Sequence, residues 1–137
     1  MWWAYALLSA FFAALTAIFA KIGIKNVNTD LATAIRTVVI LILAWAIAFF
    51  RGGTNSIMSL TKHNLIFLIL SGIATGLSWI FYFKALQLGK ISQVAPIDKL
   101  SVALAIIFSI IFLGESLTLK TAVGAVCIIA GTIIIIV

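Results

Sequence analysis

Five stretches of the chain, each about twenty residues long, carry no charge or carry it only near one end. They run from Trp3 to Ala20, Leu31 to Phe50, Leu65 to Phe83, Ile91 to Leu113 and Leu119 to Val137, and between them they use nearly all 137 residues. A hydrocarbon layer about 30 Å thick takes roughly twenty mostly apolar residues as a helix, so every stretch is long enough to cross a bilayer. Hydrocarbon offers no partner to a backbone N–H or C=O, which leaves the helix as the conformation open to such a segment. The expected fold is therefore an all-α membrane protein, a single domain over 1–137 with five transmembrane helices. A composition of 65% hydrophobic and 9% charged residues, with mean hydropathy +1.34, excludes an ordinary soluble domain.

The connections carry turn chemistry. Lys21 to Asp30 holds two Asn, with Asp30 placed to cap the second helix; Arg51 to Asn64 opens on Gly52-Gly53; Lys84 to Lys90 contains Gly89. Gly114 to Thr118 is short enough to make the last two helices an antiparallel hairpin. Met-Trp-Trp-Ala lacks the basic start of a secretory signal, so the first stretch reads as a span, with Trp2, Trp3 and Tyr5 at the interface.

Three acidic residues, one His and one Cys leave no set for a metal site or a Ser-His-carboxylate group, so neither an enzyme nor a cofactor is expected. The net charge of +6 is spread singly between apolar runs, which argues for topology signals and against nucleic acid. With an odd number of spans the termini lie on opposite sides. Arg51, Lys62 and Lys120 fall on the N-terminal side, and Lys21, Lys25, Lys84 and Lys90 on the other; with Arg36 and Lys99 the balance is six to three, favouring N-terminus out and C-terminus in. So small a bias also permits insertion in both orientations.

Arg36, Asp98 and Lys99 lie about 5 to 12 Å inside their helices, where facing lipid costs each up to about 3 kcal/mol. Arg36 and Lys99 are long enough to snorkel; the alternative is that they face a cavity. Asp98 is either a carboxylate placed at a helix start by the macrodipole or a working group. It heads a face with Ser101, Ala105 and Ser109, from which Lys99 stands about 100° away and does not pair with it directly. Similar faces are Ser9, Ala13, Thr16 and Ala20 on the first helix and Ser71, Thr75, Ser78 and Tyr82 on the third, fit for close packing or for a wet cavity. Gly72 with Gly76, and Gly124 with Gly131, read as helix contacts, the second pair as a seam between subunits. Trp79, Phe81, Tyr82 and Phe83 form an interfacial belt or a ligand cage. Pro96 either starts the fourth helix or frees a backbone carbonyl beside Asp98.

Phe112-Leu113-Gly114-Glu115-Ser116-Leu117-Thr118, followed by Gly124-Ala125 and Ile129-Ala130-Gly131, resembles the closing signature of EamA-type repeats in the drug/metabolite transporter superfamily. Ala20-Lys21 with Ala34-Ile35-Arg36 looks like the opening of the same repeat, and Phe81 to Leu86 like the end of its third helix. Most such transporters are similar to two inverted repeats fused into ten helices. One repeat implies an antiparallel dimer, either of itself in dual topology or with a related subunit. The resemblance implies a small-molecule transporter subunit of the plasma (inner) membrane that moves a small polar or amphipathic metabolite, with Asp98 as coupling carboxylate. Arg36 and Lys99 would offer it charge, and Trp79, Tyr82 and Ser101 further contact. The proline of many members, nearer the Leu-Gly-Glu, is replaced here by Ser101 and Val102, and the helix-one carboxylate of small multidrug resistance proteins is absent. Two other readings stand beside this one: a non-transporting membrane subunit or assembly factor whose polar stripes pack helices, and a subunit that flips a lipid-linked substrate.

Overall fold

The computed structural model describes residues 1–137, and every regular element in it is helical. Helix α1 spans Trp2–Gly23, α2 Thr29–Phe50, α3 Lys62–Leu88, α4 Ile91–Asp98, α5 Leu100–Leu113 and α6 Leu119–Ile136. A 3-10 turn, Gly53–Ser59, fills the connection between α2 and α3. Five helical segments are long and apolar enough to cross a membrane, with Ile91–Leu113 counting as one of them. The chain is thus an all-α membrane protein of five spans.

The helices sort into two units, Met1–Ile18 with Leu88–Val137 and Phe19–Gln87, so that α1 is shared between them. In the first, α6 packs along α4 and α5, and Val94, Ala103 and Thr132 are buried. In the second, Ile24, Thr29, Thr33, Phe83 and Leu86 are buried, with Phe83 and Leu86 at 1% and 0% exposure. Large apolar residues elsewhere are mostly exposed, including the whole run from Leu65 to Leu70 on α3. In water such a surface would aggregate; against hydrocarbon it is at rest.

The fourth span is not the continuous helix its composition suggests. Pro96 has no N–H, so the Ser92 carbonyl loses its donor one turn on, and the helix breaks at Lys99 (φ −71°, ψ −10°). The Lys99 N–H is shared between the carbonyls of Ala95 (3.3 Å) and Pro96 (3.0 Å). Beside it a buried threonine of the neighbouring helix adds a second donor to Pro96 O: Thr132 Oγ1 donates to Pro96 O at 3.2 Å and to Ile128 O of its own helix at 2.8 Å. Pro96 therefore stands inside α4 and does not start it.

Two turns show why particular residues stand where they do. Gly114 ends α5 at φ +68°, and an added Cβ there would meet nothing within 4 Å; what requires glycine is the left-handed backbone, not space. At the start of α2 the cap is Asn28 and not Asp30: Asn28 Oδ1 accepts from the N–H of Asp30 at 2.8 Å and of Leu31 at 3.1 Å. Asp30 lies within the first turn, where its charge meets the positive end of the helix. The turn between α1 and α2 is then tied to the last turn of α3. Gln87 Nε2 donates to the carbonyls of Val27 (2.9 Å) and Ile24 (3.2 Å), and Lys21 Nζ to that of Leu86.

Losing the cap removes two accepted N–H bonds, whereas losing the charge at position 30 weakens one macrodipole contact. Asn28→Ala should lower stability by about 1 kcal/mol and Asp30→Asn by a few tenths, measured by thermal unfolding in one detergent. A larger loss at Asp30 would reverse the assignment of the cap.

Candidate functional site

On α2 the polar side chains follow helical spacing, Thr29, Thr33, Arg36 and Thr37, and thus fall on one face. Two of their hydroxyls are spent on their own helix: Thr33 Oγ1 donates to Thr29 O and Thr37 Oγ1 to Thr33 O, both at 2.8 Å. Neither hydroxyl is bonded to Arg36 Nη1. Its guanidinium does not reach for the interface but lies over two aromatic faces of α3, with Cζ 4.3 Å from the centroid of Phe83 and 5.1 Å from that of Trp79. Tyr82, in the same turn of α3, interacts electrostatically with it.

Placing an arginine within a span costs about 2.5–3.5 kcal/mol, which two desolvated cation–π contacts at about 2 kcal/mol each are enough to offset. The rings use the cation's charge but supply no lone pair. Arg36 Nη1 is buried and has no hydrogen-bond partner, a deficit of about 1–3 kcal/mol. The one carboxylate between Phe19 and Gln87 is Asp30, six residues earlier on α2 and on a different side of the helix. The chain's single ion pair lies elsewhere, between Asp98 and Lys99.

That pair corrects the sequence reading. On an uninterrupted helix neighbouring side chains diverge by about 100°, yet at the helix break at Lys99 its long side chain reaches back to within 3.3 Å of Asp98 Oδ2. Side-chain exposures of 58% for Lys99 and 35% for Asp98 limit its strength to about 0.2–1 kcal/mol. Ser101, one turn further along, is exposed. Of the residues expected at a site, the structure brings Arg36, Trp79 and Tyr82 together in one unit and Asp98 and Lys99 together in the other.

Gly72, Gly76, Gly124 and Gly131 all stand in open space: no atom of the chain lies within 4 Å of an added Cβ. They do not serve close helix contacts within the chain. Sequence reasoning also missed a polar cavity of about 500 Å³ at the turn between α1 and α2, lined by Asn26, Asn28, Asp30, Phe81, Lys84 and Gln87. The signal for it was faint: two asparagines in the turn, and a glutamine at the end of an apolar helix with no apolar reason to be there.

Five membrane-crossing helices with a charge held inside one of them define a multi-pass integral membrane protein of the kind that handles solutes. The whole chain, residues 1–137, matches the EamA-like transporter family and belongs to it. It is 48% identical over 134 residues to a Sinorhizobium protein named as an uncharacterized transporter in the cobO 3′ region, a match that covers 98% of this chain and 95% of that one. It is 32% identical over 81 residues, 59% of each chain, to an uncharacterized protein of Methanocaldococcus jannaschii. No solved structure matches it. The chain is thus a membrane transporter of the drug/metabolite superfamily, and its single-repeat length is shared by the Sinorhizobium protein.

A buried donor without an acceptor costs stability, and an apolar side chain of similar length carries no such cost. Arg36→Met should therefore leave the melting temperature in detergent unchanged or raise it. A clear fall would mean that the guanidinium has a structural partner.

Proposed function

We propose that the protein is a non-enzymatic transporter subunit of the plasma membrane that works as an antiparallel dimer and moves a small polar or amphipathic metabolite. The observation that carries this reading is the open polar face of α3. Ser71, Gly72, Thr75 and Ser78 are exposed, and nothing in the chain approaches either Gly72 or Gly76. A face of small and hydroxyl-bearing residues gains little from lipid but lets another helix come close or lines a wet path. A second copy inserted the other way up, or a related subunit, would cover it and enclose the path between inverted halves. The odd number of spans and the membership of the chain in a transporter family support the same arrangement.

Asp98 is the proposed coupling group. It sits at the break of the fourth span, half-exposed and held by Lys99 alone, so a solute can compete for that contact at low cost. Broken helices within a span are where transporters place such groups.

Two measurements test the reading. Gly76→Leu removes a helix-weakening glycine worth about 1 kcal/mol, and the Cβ it adds stands clear of the neighbouring elements. It should leave the monomer as stable or more so, while abolishing chemical crosslinking of the dimer and flux in proteoliposomes; an intact dimer would remove α3 from the interface. Asp98→Asn keeps the shape and loses the charge. It should insert and dimerise normally but lose gradient-driven uptake, and normal uptake would end the coupling role.

A further inference from the structure

The Arg36 cluster says what kind of solute such a subunit takes. We propose that Arg36, Trp79 and Phe83 form a recognition site for a carboxylate monoanion attached to an apolar group. The inference rests on the transporter reading but concerns the ligand alone.

An anion is indicated by what is missing around the guanidinium. Nη1 is buried without a partner, the Thr33 and Thr37 hydroxyls are turned to carbonyls of their own helix and not to it, and the aromatic faces hold the charge but accept no hydrogen bond in the ordinary sense. The group that completes this environment brings a negative charge and a lone pair together. A neutral acceptor would leave the charge inside the span uncompensated.

A single negative charge is indicated by the count of cations. One guanidinium cancels one charge. A phosphate dianion at the same place would retain a net charge about 10 Å inside the span, the depth of the seventh residue after Thr29 at 1.5 Å each. A carboxylate also matches the planar fork of the guanidinium, two oxygens against two N–H groups. The apolar part follows from the rings. Phe83 is 1% exposed and fixed, whereas Trp79 is half-buried and keeps an open side, so a hydrocarbon or aryl group beside the carboxylate finds a surface there.

Protein carboxylates are the rival occupants, and the chain has three: Asp30, Asp98 and Glu115. Asp98 lies deepest in a span and already holds Lys99, so Asp98→Asn belongs in the test.

Trp79 supplies the signal. In a chain with Trp2, Trp3 and Trp45 replaced by Phe, reconstituted into phosphatidylcholine nanodiscs, Trp79 fluorescence is titrated with benzoate, benzamide and phenylphosphonate. Phosphatidylcholine has no carboxylate, so a response to benzoate belongs to the free solute; a second set of discs containing phosphatidylserine tests a headgroup carboxylate as competitor. Benzoate should bind saturably and at least about tenfold more tightly than its neutral isostere benzamide, with the phenylphosphonate dianion weaker than benzoate. Arg36→Gln should abolish the preference for benzoate over benzamide, and Arg36→Lys should keep part of it. If Arg36→Gln does not insert, Arg36→Lys decides, since loss of the planar fork should still weaken benzoate severalfold.

Equal affinity for benzoate and benzamide, tighter binding of phenylphosphonate, or no saturable response to benzoate would overturn the proposal. So would a marked tightening in Asp98→Asn, which would identify Asp98 as the resident acceptor. Because binding is read without a gradient, benzoate recognition without flux would refute the transporter reading alone. Flux indifferent to Arg36→Gln would refute the carboxylate site alone.

Discussion

A hydrocarbon layer offers no hydrogen bonds, and the rest of the structure depends on that constraint. Each backbone N–H and C=O within a span must find its partner inside the protein, so the five apolar stretches are helices before any tertiary contact forms. The same constraint gives meaning to the one place where it is strained. Pro96 removes a donor, Lys99 breaks the helix, and Thr132 extends a single hydroxyl proton across to Pro96 O while keeping its own Ile128 O.

The embedded charges follow two different logics. Asp98 and Lys99 neutralise each other across an exposed 3.3 Å contact, and their presence costs the fold little. Arg36 is treated in the opposite way. Two rings of α3 hold it inside the span, one of them fully buried, and a nitrogen remains without an acceptor. Snorkelling would have been the low-energy solution for so long a side chain. Here it lies over the ring faces with Nη1 unpartnered, and that deficit is what the proposed ligand would fill.

The spans were legible because hydropathy over about twenty residues is a coarse signal that local detail does not disturb. The EamA-type resemblance was legible for a related reason: Leu113-Gly114-Glu115 marks a helix end whose left-handed backbone only glycine adopts readily. What stayed hidden depended on single atoms. Asn28 and Asp30 are both good caps by composition, and only the direction of the Asn28 side chain separates them. Lys99 was kept apart from Asp98 by helical periodicity, which fails where the helix does. For Trp79, Tyr82 and Phe83 the spacing was visible, but the choice between an interfacial belt and a ligand cage turned on which way Arg36 bends. The glycines show a different limit: Gly72 and Gly76 have the spacing of a packing motif, and whatever packs on them lies outside the chain.

Inversion gives the Arg36 cluster a consequence for transport. In an antiparallel pair the two copies of a residue about 10 Å below one face lie about 10 Å below opposite faces, and a core of about 30 Å leaves about 10 Å between those levels. A carboxylate would then meet an equivalent guanidinium soon after entry from either side, and neither site would be favoured by the protein's own asymmetry. Equal sites at equal depth cannot set a direction; they lower the barrier for a charged solute symmetrically. Direction has to come from elsewhere, and the proposed coupling carboxylate, Asp98, is a separate group in the other unit of the chain. Recognition at Arg36 and coupling at Asp98 are in this view separable tasks, one performed by a cation held short of its partner and the other by an acid only loosely held to its own.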